Sequence, residues 1–433
     1  MRRIIFVALT ALIPLTAMPY GTFEPWWKAA FVCAVFGICI VAIVESVISR
    51  SDYFGPLSIL LPMLVLAVFA LVQALPLGSV DDPGLTGLRQ WHAISADPYQ
   101  TRFFALQILA LAVYLALLYR YANDERRMRI LIHVVIAVAV ASAVFGMLRQ
   151  TSRQEAGFVL PLLKQAQGYA QFLNKNHFAY LMEMAFGLGI GLILARGVRS
   201  DRVMLYVALM FPIWLALVLS NSRGGILAML AQVLVAALWV LKPQGVLKAA
   251  LVAVIVCGVL FGTLWVGGDK LATNIESAGT HFSGDTTRDG ASRNEIWRAT
   301  LKMFAAHPLA GVGFGGYWIG ITAFHDASGS LTPQEAHNEY LEVLSSGGLI
   351  GLAIAVWFAV VVVWRMRAYL RHDHGQPRAI RVAAVLALIG VVVHSLVDFG
   401  LHLTSNALVF MVLIMLATAS LHKKKIDPSV QQQ

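Results

Sequence analysis

The sequence predicts an all-α integral membrane protein of about 12 transmembrane helices, with one large, partly helical loop between spans 9 and 10. Three observations carry this expectation. Of 433 residues, 58% are hydrophobic and only 13% are charged, and the mean hydropathy is +0.72, beyond what any water-soluble domain needs. The apolar residues gather in stretches of roughly 20, each long enough to cross a hydrocarbon core of about 30 Å as a helix. Between them, only residues 268–339 form a segment long enough to build a substructure outside the bilayer. A secreted, cytosolic or disordered chain is excluded, and residues 1–433 read as a single polytopic domain.

In chain order the spans are 4–20, 29–48, 57–76, 103–121, 130–148, 177–195, 203–220, 225–241, 249–267, 340–364, 381–399 and 406–421. The first follows Met1-Arg2-Arg3 and so resembles a signal peptide, but no clear small-residue cleavage site follows Pro14 and Pro19, and it reads as a retained span. Cys33, Cys39 and Cys257 all fall in apolar stretches as small core residues, implying neither a disulfide nor a metal framework. An even number of spans puts both termini on one side. The connections on that side carry 20 of the 33 Lys and Arg residues, the bias of a cytoplasmic face. The formal charge of +10 therefore reports orientation among membrane lipids, and nucleic acid is not an expected partner.

The opposite face carries the longer connections, above all residues 268–339, and loops of that length are usually functional. Ser292 with Glu295 forms a capping box, after which Ile296, Trp297, Thr300, Leu301 and Phe304 recur at helical spacing until His307-Pro308. Thr332-Pro333-Gln334-Glu335 forms a second capping box, predicting a helix that runs into span 10 with His337 in its first turns.

Three groups of residues in or near these outward connections could carry chemistry. Ser220 to Gly225 is a short turn with a single arginine, Arg223, on the face where the positive-inside bias disfavours it; it is either a snorkelling arginine or an anion contact, with glycines that allow close approach. Arg288, Arg293, Arg298 and Lys302 are either a solvated face or an anion site. Arg293 stands in the first helical turn, where a cation opposes the helix dipole unless an anion sits there too. It shares a face with Trp297. Finally, His337 in Ala336-His337-Asn338-Glu339-Tyr340-Leu341 is either an interface histidine or a general base, since a neutral imidazole is the usual acceptor of a hydroxyl proton. Gly347, Gly348 and Gly351 read as helix-packing contacts.

Other features are less pointed. Residues 311–316 formally match GxGxxG, but they follow Pro308 rather than a strand, so a dinucleotide site is rejected and a flexible turn expected. Lys175, Asn174, Asn176 and His177 lie at the outer mouth of span 6. His394 and Asp398 are four apart on span 11 and could pair with each other, structurally or functionally. Glu45 and Glu183 are isolated carboxylates within spans.

Taken together and in order, several segments resemble the O-antigen ligase and O-antigen polymerase superfamily of bacterial inner-membrane glycosyltransferases. They are Asn174 to Ala179 (NKNHFA), Asn221 to Gly225 (NSRGG), the stretch from Arg293 to Gly315, His337 to Gly351 (HNEYLEVLSSGGLIG) and His394 to Leu401 (HSLVDFGL). The resemblance covers roughly residues 140–421. Lys175 departs from it, standing where family members often have proline, as does Arg149-Gln150 at the end of span 5.

The resemblance implies en bloc transfer of a glycan from undecaprenyl diphosphate to an acceptor on the periplasmic side. In the ligase branch that acceptor is a sugar hydroxyl of lipid A-core, a step of lipopolysaccharide biosynthesis. Under this reading Arg223 and Arg293 neutralise the leaving diphosphate, and His337 is the general base in an inverting displacement. Arg288, Asn338, Lys175, Asn176 and Trp297 are substrate-binding candidates. No cofactor or metal is expected, since the chain has no Asp-rich cluster and two arginines can replace a divalent cation. The polymerase and a protein O-oligosaccharyltransferase stay open as alternatives using the same carrier. A transporter is disfavoured, because the candidate residues gather at one face and no second half mirrors the first.

Overall fold

The computed structural model describes residues 1–50, 55–80, 90–151, 168–240, 293–325 and 333–420. Among them are thirteen α-helices and one antiparallel hairpin. The helices are α1 (Arg2–Ala17), α2 (Pro25–Ser49), α3 (Leu57–Gln73), α4 (Pro98–Tyr121), α5 (Glu125–Thr151), α6 (Lys175–Leu194), α7 (Val203–Leu219), α8 (Arg223–Val240), α9 (Arg293–Ala306), the single turn α10 (Tyr317–Gly320), α11 (Glu339–His372), α12 (Gly375–His394) and α13 (Thr404–Thr418). The hairpin pairs β1 (Pro76–Val80) with β2 (Gln90–Ala93). Each expected span overlaps a helix except 249–267, which lies outside the described residues, and the helix of the expected span 381–399 ends at His394. Seven helices are long and apolar enough to cross a membrane, while α3, α8 and α13 are shorter apolar helices.

Local sequence explains where these helices start. Asp97 caps α4 by accepting from the Gln100 N–H at 3.1 Å, with Pro98 in the first helical position. Asn174 caps α6 through the Asn176 N–H at 2.8 Å. Asn338 caps α11 through the N–H groups of Tyr340 and Leu341 at 3.0 and 3.1 Å. Each satisfies donors that a helix start leaves unpaired.

The centre of the bundle is α6 against α12. A Cβ on Gly187 or Gly191 would come within 2.6 or 2.3 Å of the Cα of Ala387 or Ala383, so only glycine allows this approach. Gln232 of α8 reaches between the two helices and donates to the carbonyls of Glu183 and Leu386 at 2.9 and 3.1 Å. Small residues plus one bridging amide are how helices associate where lipid leaves no hydrophobic drive between them. Glu45 is also answered for: it binds Arg2 Nε at 2.7 Å, Arg120 Nη2 at 2.9 Å and the Tyr121 hydroxyl at 2.7 Å, tying α1, α2 and α4 together.

Three local expectations are revised. First, α11 starts at Glu339 and not at the Thr332 capping box; Thr332 lies outside the described residues, Glu335 turns toward His402 at 3.3 Å, and Asn338 is the cap. His337 therefore precedes the helix, in a left-handed conformation with φ of 49°. Second, residues 308–313 are stitched into α11 and are no loose turn. The N–H groups of Val312 and Gly313 donate to the carbonyls of Ser345 and Ser346, and those of Leu349 and Ile350 donate to the carbonyls of Pro308 and Leu309, all at 2.8 to 3.1 Å. Third, Gly348 is no plain packing contact but the break that admits this segment, with φ 61° and ψ −161° inside the helix. A Cβ there would lie 2.4 Å from the Leu309 carbonyl. Gly348→Ala is therefore expected to destabilise the protein by about 2–4 kcal/mol, combining backbone strain with overpacking. A thermal melt of the purified protein in detergent checks this, and an unchanged midpoint would show that the break is dispensable.

Candidate active site

Helix ends converge at one end of the bundle. The N-termini of α6, α8, α9 and α11 meet the C-terminus of α12, and the connection from α12 to α13 supplies their common partner, Asp398. Its side chain is 1% exposed. The carboxylate accepts from the Asn176 side-chain amide and from the Phe399 N–H at 2.8 Å. Arg293 Nη2 stands 3.8 Å away and His337 Nδ1 3.9 Å away. Burial would raise the pKa of this carboxyl, but the contact with His337 and the neighbouring imidazoles of His394 and His177 outweigh it and hold the pKa at about 2. A buried carboxylate is tolerable only in such company.

Around Asp398 the cations outnumber the acids. Arg223 begins α8, Lys175 begins α6 and Arg293 begins α9, and the three repel one another across the site. Among the described residues neither Arg223 nor Lys175 has a carboxylate within ion-pair distance. Asn176 links the two halves of the floor, since its amide oxygen accepts from Ser222 Oγ at 2.9 Å while its nitrogen serves Asp398. Three cations with a single carboxylate between them, Asp398 beside Arg293, leave an excess of positive charge that suits an anion, and guanidinium forks suit phosphate oxygens.

His337 is presented by a turn clamped on both sides. The preceding Ala336 accepts from Trp297 Nε1 at 3.0 Å and donates its N–H to Glu342 Oε2 at 3.0 Å. The following Asn338 caps α11 and donates to the Leu396 carbonyl at 2.8 Å. The His337 ring packs edge-on against Phe399, centroids 4.9 Å apart, and its side chain is 34% exposed. At 3.9 Å, Nδ1 is beyond hydrogen-bond length from Asp398 Oδ1, and a shift of about 1 Å would close the contact.

Most of the residues singled out in the sequence are thus brought together. Asn176, Arg293 and His337 face Asp398, and Arg223 and Lys175 stand near Arg293. Trp297 and Asn338 are adjacent, but their polar atoms are engaged by the protein, holding the His337 turn. Arg288 lies outside the described residues. The suggested pairing of His394 with Asp398 is replaced by another: His394 Nδ1 binds Glu183 at 2.8 Å, both fully buried, with Tyr180 stacked on the imidazole at 4.1 Å. The reason is local. Helix α12 ends at His394, so Asp398 no longer lies on its face and turns toward Arg293 and His337 instead.

Sequence reasoning did not single out Ser222 or Phe399, nor Asp398 as the common partner. The signal was present in HSLVDFGL, where a carboxylate follows a span end by four residues. It also passed over a second cluster beside the first. Glu335, Glu342 and His402 each bring one ligand atom within 4.8 Å of the others, an arrangement that could hold a metal ion.

No curated protein matches the chain. Residues 205–356 do match the family described as O-antigen ligase. The matched segment contains Arg223, Arg293 and His337, and it ends before Asp398. Through that segment the chain is similar to the O-antigen ligase family.

Proposed function

We propose that this chain is an O-antigen ligase of the bacterial inner membrane. It transfers O-antigen polysaccharide en bloc from undecaprenyl diphosphate to a sugar hydroxyl of lipid A-core. Both termini are cytoplasmic and the site end faces the periplasm, as the distribution of basic residues supports. The observation that carries the reading is the placement of Arg223, Arg293 and Lys175 near one buried carboxylate, beside the clamped imidazole of His337.

The chemistry follows from that placement. The carrier diphosphate lies against Arg223 and Arg293, with Arg288 and Lys175 assisting. Asn176, Asn338 and Trp297 shape the pocket from behind. Asp398 moves onto the Nδ1–H of His337, which fixes the tautomer and leaves Nε2 free to take the acceptor's proton. As the acceptor oxygen bonds to the anomeric carbon, the bond to the diphosphate breaks on the opposite face and the configuration inverts. The diphosphate already carries two negative charges, and the further charge that develops on its departing oxygen meets fixed guanidinium groups, which need no reorganisation. The arginines supply the charge that other glycosyltransferases take from a divalent cation, so the reaction is metal-independent.

Two measurements test this together. Cells without the gene should lose capped lipid A-core yet retain carrier-linked polymer; loss of the polymer itself identifies a polymerase, and loss of glycan from proteins an oligosaccharyltransferase. The purified enzyme should keep full turnover in excess chelator. A loss rescued by added cation would contradict metal independence and direct attention to Glu335, Glu342 and His402.

A further inference from the structure

His402 sits in the 3-10 turn Gly400–His402, after Phe399 and before α13. Its ring reaches three carboxylates: Nδ1 is 3.3 Å from Glu335, and Nε2 is 3.3 Å from Glu339 and 3.5 Å from Glu342. These acids flank His337 in sequence, two residues before it and two and five after it. Two of them also hold backbone at the same corner. Glu342 accepts the Ala336 N–H at 3.0 Å, and Glu339 accepts the Leu401 N–H at 2.9 Å. Phe399 completes the contact, its ring lying 4.9 Å from His337 and 5.7 Å from His402.

The turn needs such a clamp. A non-glycine residue at φ of 49° costs about 1–3 kcal/mol and persists only where its surroundings hold it. Three acidic side chains crowd onto its flanks, burial and Glu335 push Glu342 well above the usual carboxyl range, and both nitrogens of the His402 ring face the group. We infer that His402 is a positioning residue for the transfer reaction: a cation among Glu335, Glu339 and Glu342, it locks the turn that presents His337 against the Asp398–Phe399 corner. Lys28 adds positive charge toward Glu335, and His177 is the remaining titratable group facing His402 from α6.

The electrostatics agree. Burial opposes a charge on His402, but Glu342, Glu335 and Glu339 outweigh it and lift the imidazole well above its usual range. Burial would likewise raise Glu335, and His402 brings it down to about 2. The metal reading of the same cluster differs, because a bound metal requires His402 to be neutral.

This inference rests on His337 being the base, and the test separates the two. Full-length enzyme in detergent is assayed with purified undecaprenyl-diphosphate-linked polysaccharide and lipid A-core. In His402→Gln, kcat should fall about 10- to 100-fold, the usual effect of misplacing a reacting group by about 1 Å. The donor KM should stay near wild type, and the thermal midpoint should fall while the protein stays folded at the assay temperature. His402→Lys, which keeps a donor among the acids, should recover part of the loss. The inference is overturned if His402→Gln turns over within twofold of wild type, or if its loss matches a fall in folded fraction. It is also overturned if added Zn²⁺ or Mn²⁺ restores a chelated wild type but not the variant, which makes His402 a ligand. If His337→Ala retains wild-type turnover, the base reading fails instead, whatever His402→Gln does.

Discussion

His337→Ala is expected to lower glycan transfer by about 10²–10⁴-fold, the range over which a positioned general base contributes. The protein should still insert and fold, because the ring is partly exposed and its backbone is held by Trp297, Glu342 and Asn338 rather than by the imidazole. Donor binding, which reports the diphosphate contacts separately, should stay unchanged in this variant. The pH profile identifies the group further. Asp398 is held at about 2, so its stabilising contribution is complete above the unfolded carboxyl value of about 4 and is lost only as pH falls toward 2. An acid limb in kcat at higher pH therefore cannot come from Asp398, and it should vanish in the residual activity of His337→Ala. Wild-type turnover in the variant would remove the base assignment.

Arg223→Ala should cost about 10²–10³-fold in kcat, the usual loss when one fixed donor to a developing negative charge is removed. Arg223 differs from Arg293 in one respect that makes the experiment informative. Arg293 has Asp398 at 3.8 Å, whereas Arg223 has Arg293 as its charged neighbour and no carboxylate partner among the described residues. Removing Arg223 therefore relieves repulsion in the free enzyme, and the thermal midpoint should hold or rise as activity falls. Arg223→Lys should not restore turnover, because an ammonium cannot grip two phosphate oxygens as a planar fork does. Binding of undecaprenyl diphosphate to the purified variants gives the check. Unchanged affinity together with unchanged turnover in Arg223→Ala would leave the diphosphate site without its central contact.

Much of the site was readable before any coordinates because its chemistry is exceptional in its setting. Arg223 is the single cation of a short polar turn, Arg293 stands at a helix start that resists cations, and His337 immediately precedes α11. What sequence reading misplaced has local physical causes. The Thr332–Glu335 box looked like a helix start, but Glu335 is drawn to His402 and the true cap is Asn338. The spacing of His394 and Asp398 looked like a helical pair, but the helix stops between them, and each finds a partner from another helix. The glycines of 311–316 and Gly348 looked separately like a loose turn and a packing stripe, yet they form one joint.

The sequence alone determined the helical class and the placement of most of the apolar helices, and it drew attention to the residues that meet near Asp398. A bilayer accepts only long apolar helices and tolerates charge only where something demands it, so these properties are written in local composition. Tertiary structure decided which carboxylate stands between Arg293 and His337, which acids surround His402, and where α11 breaks. Those choices depend on contacts between helices far apart in the chain, and local periodicity carries no information about which distant ends will meet.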